Sequence, residues 1–104
     1  MSARVRVLVH ATAPGGDLQA VTHAYHLISR TLAGTPGLLG NELLRSAHRP
    51  GEYAVLSEWA SVEAFRAWEG GPGHRAATAP LRPFQSGFAV YVVEAAYADE
   101  ESPA

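Results

Sequence analysis

The chain of 104 residues contains no cysteine. A disulfide, a thiolate nucleophile and a cysteine-based metal site are thereby excluded. Lysine is missing too: all eight cationic side chains are arginines, among abundant Ala, Gly and Pro. That bias fits GC-rich coding DNA and carries no functional weight. A dominant charge of one sign is also lacking. With a formal net charge of −2 and no basic run, the chain does not suit nucleic acid, whose binding rests on clustered cations facing phosphate. No apolar run approaches the roughly 20 residues of a membrane-spanning helix. The opening MSARVRVLVHATA alternates at Val5, Val7 and Val9 and is interrupted by His10, as a strand is and a signal peptide is not. No membrane partner and a cytoplasmic location are expected.

What is present is enough for one domain, expected over 1–98, with 99–104 as a flexible acidic tail. Residues 4–12 alternate and are β-branched, which predicts a strand. APGGD predicts a turn with Asp17 as a helix cap, and Leu18, Val21, Tyr25, Ile28 and Leu32 then form one apolar stripe that Gly34 and Pro36 end. Residues 38–46 and 52–60 predict two strands joined by a Pro-Gly turn. Ser61 is expected to cap a helix through Glu69, GGPG to break it, and 73–79 to add a turn or two. Pro80 and Pro83 are expected to end that segment, and 87–97 to form the last strand. The order β-α-β-β-α-β predicts an α+β, ferredoxin-like fold with an antiparallel sheet. Both helices then lie on one face. The opposite face should be polar in a monomer, yet Leu8, Ala54, Leu56, Ala89 and Tyr91 alternate with equally apolar neighbours. A sheet-to-sheet homodimer is therefore expected.

The chemistry concentrates late in the chain. Trp59, Phe65, Trp68 and His74 crowd one stretch of a sequence that is only 9% aromatic, which suits a pocket for a flat organic molecule. A helix that served only as core would not need the GGPG break beside Trp68. His74 follows that break and is the candidate base. Arg82, held between prolines in APLRPF, is the candidate anchor for an anionic or phenolate oxygen. Trp59 joins these two through its indole N–H, which needs a partner when buried. Trp68 and Phe65, with Val55, Tyr25 and Asn41, make up the expected substrate-binding set. The other histidines read differently: His23, His26 and His48 as solvated surface residues, His10 as a buried residue near a dimer interface. The carboxylates are scattered, no metal site is expected, and neither a phosphate loop nor a nucleophile elbow is present.

PGLLGNELLRS followed by EYAVLSEWASVEAFRAWEGGPGHRAATAPLRPF resembles the antibiotic biosynthesis monooxygenase family of dimeric α+β barrels, over nearly the whole chain. The W-x-S-x-x-A-F-x-x-W pattern from Trp59 to Trp68 carries most of the likeness. The resemblance implies a homodimeric enzyme of aromatic polyketide antibiotic biosynthesis that uses dioxygen on a phenolic substrate, with no metal or flavin cofactor. It leaves two alternatives: a polyketide cyclase on the same fold, and a haem or small-molecule binding module. For the haem-degrading branch, Trp68 matches the second Trp, the axial His position falls on Ala77 or Thr78, and the first strand has no Asn. For the anthrone-oxygenase branch, Trp59 and Arg82 match, while the expected Asn and Tyr fall on Val55 and Phe65.

Overall fold

The computed structural model describes residues 3–13, 15 and 17–97, without the Leu18 side chain. Pro14 and Gly16 of the expected turn, and the acidic tail from Asp99, lie outside the described residues. The elements are β1 (Val5–Thr12), α1 (Leu18–Leu32), β2 (Leu38–Arg45), β3 (Glu52–Trp59), α2 (Val62–Glu69), α3 (His74–Thr78), a 3-10 turn at Arg82–Phe84, and β4 (Gln85–Val92). Four antiparallel strands form one sheet in the order β2-β3-β1-β4. This is the ferredoxin-like α+β arrangement that the residue pattern predicts.

Local chemistry sets the boundaries. The Asp17 carboxylate accepts from the Ala20 N–H at 3.2 Å, and the Ser61 hydroxyl accepts from the Ala64 N–H at 3.1 Å. Each satisfies an amide that the first helical turn leaves without a partner. Gly51 takes φ +85 in the β2–β3 hairpin, a left-handed conformation suited to glycine. Gly37 has φ +83, and a Cβ there would collide with the Ala64 Cβ. Its carbonyl accepts from the Ala60 N–H at 2.8 Å, so the start of β2 is held tightly against the start of α2.

One difference concerns β4. It begins two residues earlier than the apolar pattern suggests and ends at Val92, so that 93–97 are irregular. The reason is the neighbour. Val92 already pairs with Val5, the first residue of β1, and only the Val93 N–H goes further, to the Arg4 carbonyl at 2.8 Å. A second difference is Leu81, which is buried beyond Pro80 and packs into the cluster formed by Val21, Ile28 and Leu32 of α1. The chain does not leave the core at the prolines but turns through it.

The core lies on the helix face of the sheet, in two joined clusters. One contains Ala11, Val21, Ala24, Ile28, Leu32, Tyr53 and Leu81; the other contains Val5, Val7, Trp59 and Phe65. On the opposite face Leu8 stands across from Leu56 and Ala89, all half-buried, while Leu44 and Tyr91 are exposed. Arg4 and Arg6 reach Glu58 on β3 at 3.5 and 3.1 Å. His10 is exposed in the single chain, not buried as its place on β1 suggests. Among the described residues no helix is long and apolar enough to cross a membrane.

Candidate active site

The cavity sits between the helix face of the sheet and the α1, α2 and α3 segments, with a volume of about 320 Å³. That falls in the usual range for small-molecule sites, roughly 300–1,000 Å³. Strand alternation places Val7, Val9 and Val55 on its floor, α1 contributes Ile28 and Leu32, and Leu81 closes one side. These walls are aliphatic, so they exclude water and favour a hydrophobic ligand.

The far wall is aromatic, and the sequence explains how it is assembled. Trp59 ends β3, while Phe65 and Trp68 lie one turn apart on α2. Trp59 meets Phe65 at 5.5 Å between ring centroids and 70°, and Trp68 at 5.2 Å and 31°. The glycine break then reverses the chain. A Cβ on Gly71 would stand 3.2 Å from the carbonyl oxygens of both Ala67 and Trp68, so a side chain there would crowd the tight exit from α2. The return carries the His74 ring against Trp68, edge to face at 4.5 Å and 90°.

Arg82 opens the 3-10 turn. Its Nη2 donates to the Arg75 carbonyl and to Thr78 Oγ1, both at 2.9 Å. One edge of the guanidinium is thus fixed on α3 and the other is free to face the cavity mouth. Arg75 lines the same mouth. Among the described residues neither arginine makes an ion pair. Nor does any group of three or more His, Asp or Glu side chains come together as a metal site would require.

Most of the residues singled out in the sequence meet at this cavity: His74, Arg82, Trp59, Trp68, Phe65, Val55 and Asn41 all line it. Their roles divide, however. Trp59 is 1% exposed and its indole N–H donates to Ser57 Oγ at 3.0 Å, so that N–H is already committed and a ligand oxygen would have to compete for it. Phe65 is equally a core residue. The ring surface open to a ligand belongs to Trp68, His74 and Phe88. Tyr25 does not line the cavity; its hydroxyl donates to Asn41 Oδ1 at 2.7 Å and holds that side chain. Ser29, Ser57, Glu69, Arg75, Thr78 and Phe88 also line the cavity and were not expected. Phe88 could have been found from β4 alternation, and Ser57 from its place two residues before Trp59 on the same face.

Known proteins resemble this chain in sequence or in fold. SchA of Streptomyces halstedii is 32% identical over 84 residues, 81% of this chain but 22% of SchA; the chain therefore spans about a fifth of that relative's length. A mycobilin-producing haem oxygenase of Mycobacterium tuberculosis is 41% identical over 54 residues, 46% of this chain and 51% of the enzyme. In fold, a point mutant of SnoaB, a cofactor-independent oxygenase from Streptomyces nogalater, superposes with a TM-score of 0.74 at 19% identity, covering 97% of this chain and all of that one. The profile of the antibiotic biosynthesis monooxygenase family matches residues 4–80, which include β1 through α3 and most of the cavity. By that match, the chain belongs to the antibiotic biosynthesis monooxygenase family.

Proposed function

We propose that the protein is a cofactor-independent oxygenase of an electron-rich phenolic ring system, of the anthrone or quinol type made in aromatic polyketide antibiotic pathways. The observation that carries this reading is the cavity itself: aliphatic floor, aromatic wall, and His74 beside an unpaired arginine at the mouth. The substrate ring lies between the β4 side, at Phe88, and the α2–α3 side, at Trp68. His74 takes the proton from the reacting carbon, leaving a carbanion delocalised onto the ring oxygens. Arg82 and Arg75 lower the energy of that anion. The anion gives one electron to dioxygen, and the resulting radical and superoxide combine to a peroxide, which His74 reprotonates. Loss of water from the hydroperoxide leaves the quinone carbonyl, so that one oxygen enters the substrate, two hydrogens leave it, and the other oxygen departs as water. The electrons come from the substrate.

In this reading the chain works as a homodimer, with a second copy covering Leu8, Leu56 and Tyr91 on the open face. The site lies on the helix face of each chain, so dimerisation covers one side and catalysis uses the other.

The test is mass spectrometry of a reduced tricyclic phenol, anthrone itself, incubated with the protein in air and under nitrogen. Gain of one oxygen with loss of two hydrogens, in air only and faster than without protein, is expected. Loss of water from a poly-β-ketone substrate in both atmospheres would replace the reading with a cyclase. His74→Ala should lower turnover by about 10²–10⁴-fold, the range for removing a general base, with the dimer intact by sedimentation. A binding-module reading draws on the 41% identity to a haem oxygenase. It requires a Soret shift with added haem that His74→Ala abolishes, and the oxygenase reading predicts none.

A further inference from the structure

The floor of the cavity carries a polar feature that the reaction above does not use. Asn41 of β2 and Ser57 of β3 are register partners, so their side chains stand side by side on the helix face. Cross-strand partners have Cβ atoms about 4.5–5.5 Å apart, close enough for both to reach one ligand atom. Both line the cavity and both are half-buried.

Each is oriented from behind. Asn41 Oδ1 accepts from Tyr25 Oη at 2.7 Å and from Ser29 Oγ at 3.1 Å, two donors one helical turn apart on α1. With the oxygen fixed toward α1, the amide nitrogen is turned the other way. Ser57 Oγ accepts from the Trp59 indole N–H at 3.0 Å. An indole nitrogen only donates, so the serine hydroxyl keeps its own proton to give. Among the described residues neither Asn41 Nδ2 nor the Ser57 hydroxyl proton has an acceptor, yet no buried side-chain polar atom is left without a partner. Asn41 Nδ2 is therefore not sealed in protein, and the Ser57 side chain borders the same cavity.

We infer that Asn41 and Ser57 form a two-donor site for one electron-rich oxygen at the leading edge of the ligand, a ring carbonyl that becomes a phenolate or enolate. The inference rests on the oxygenase reading for the aromatic nature of that ligand, and it names the end of the molecule that enters first. Asn41 and Ser57 offer donors there, and the carboxylate that lines the cavity, Glu69, stands apart from them at the end of α2. Tyr25, Ser29 and Trp59 are positioning residues here: their hydrogen bonds hold the donors.

Ionisation of a bound dye tests this without turnover. 1,8-Dihydroxyanthraquinone changes colour when its phenol ionises, so its ionisation midpoint in the complex can be read from the visible spectrum as pH is raised. Donors to the anion favour ionisation, and a hydrogen bond to a charged group corresponds to roughly one pH unit or more. The wild-type complex should ionise at lower pH than the free dye. Ser57→Ala should move the midpoint up by roughly one pH unit and Ser57→Thr should restore it. Asn41→Asp keeps the oxygen that Tyr25 and Ser29 require and replaces the amide donor by an acceptor, so it should move the midpoint up further. Because Ser57→Ala orphans the Trp59 N–H, the same substitution in a Trp59→Phe background keeps the comparison valid if the single variant unfolds. Binding by all variants with unchanged midpoints would overturn the donor pair and leave the aromatic cavity standing. Failure of the dye to bind the wild-type protein would overturn both.

Discussion

The two ends of the cavity are built on different terms. The floor is carried by strands: Val7, Val55, Ser57 and Trp59 occupy alternate positions on neighbouring β1 and β3, and their backbone is fixed by sheet pairing on both sides. Its polar groups are neutral and each is held by a second residue. The mouth is carried by a five-residue helix and a 3-10 turn. Its cations are exposed, and Arg82 is tied only to α3, the short helix beside it. A rigid neutral end and a looser charged end suit a ligand that enters ring-first and leaves its charge near solvent. The comparison also predicts that substitutions at the floor act on stability, and those at the mouth on binding.

Trp59→Ala should give the largest effect. Trp59 is fully enclosed and joins Val5, Val7 and Phe65 in one cluster, and deleting such a side chain costs about 3–5 kcal/mol. Urea unfolding measures it. Trp68→Ala, at a half-buried ring on the same wall, should cost roughly half as much stability while abolishing most of the affinity for the anthraquinone dye. Equal losses of stability in the two variants would break the distinction between a ring held by the sheet and one open to the ligand.

Gly37→Ala should come next. The residue sits at φ +83, where an alanine is strained by about 1–2 kcal/mol. Its new Cβ would also meet Ala64 and push the start of α2 off β2. A loss of about 2 kcal/mol or more in urea unfolding is expected. Because α2 carries Phe65 and Trp68, dye affinity should fall with stability in this variant. A stable variant with altered affinity would mean that α2 moves independently of the sheet.

The legible parts of this molecule were those whose signals are local or periodic. The alternation of Val5, Val7 and Val9, the caps at Asp17 and Ser61, and the Pro-Gly hairpin each follow from one residue and its near neighbours. Chain order alone then limits the sheet to few topologies. The site was legible as a cluster, because large rings and a glycine break are conspicuous. How its members are wired was not. That the Trp59 N–H meets a serine two residues back, that Tyr25 serves Asn41 and not the ligand, and that Asn41 faces Ser57 are consequences of hairpin register and helix docking. A serine in a strand has no periodic or compositional mark. The end of β4 was hidden for the same reason, since it depends on where β1 begins.

The smallest effect should be the most specific. Arg82 is exposed, makes no ion pair among the described residues, and donates from one nitrogen to α3. Arg82→Ala should therefore change stability by no more than about 0.5 kcal/mol. Binding should separate by ligand. For 1-hydroxy-2-naphthoate, whose carboxylate would lie at the mouth, affinity should fall about fivefold, the scale of one exposed charge pair of about 1 kcal/mol. That loss should shrink as salt is added, since the interaction is screened over roughly 10 Å at 0.1 M. For 1-naphthol, which has the same rings and no carboxylate, affinity should be unchanged at every salt concentration. Arg82→Lys should recover part of the naphthoate affinity, keeping the charge and losing the planar fork that grips two oxygens. An equal loss for both ligands would mean that Arg82 shapes the cavity through Thr78 and α3 and does not read charge. The mouth would then work by the same rule as the floor, with one residue holding another in place.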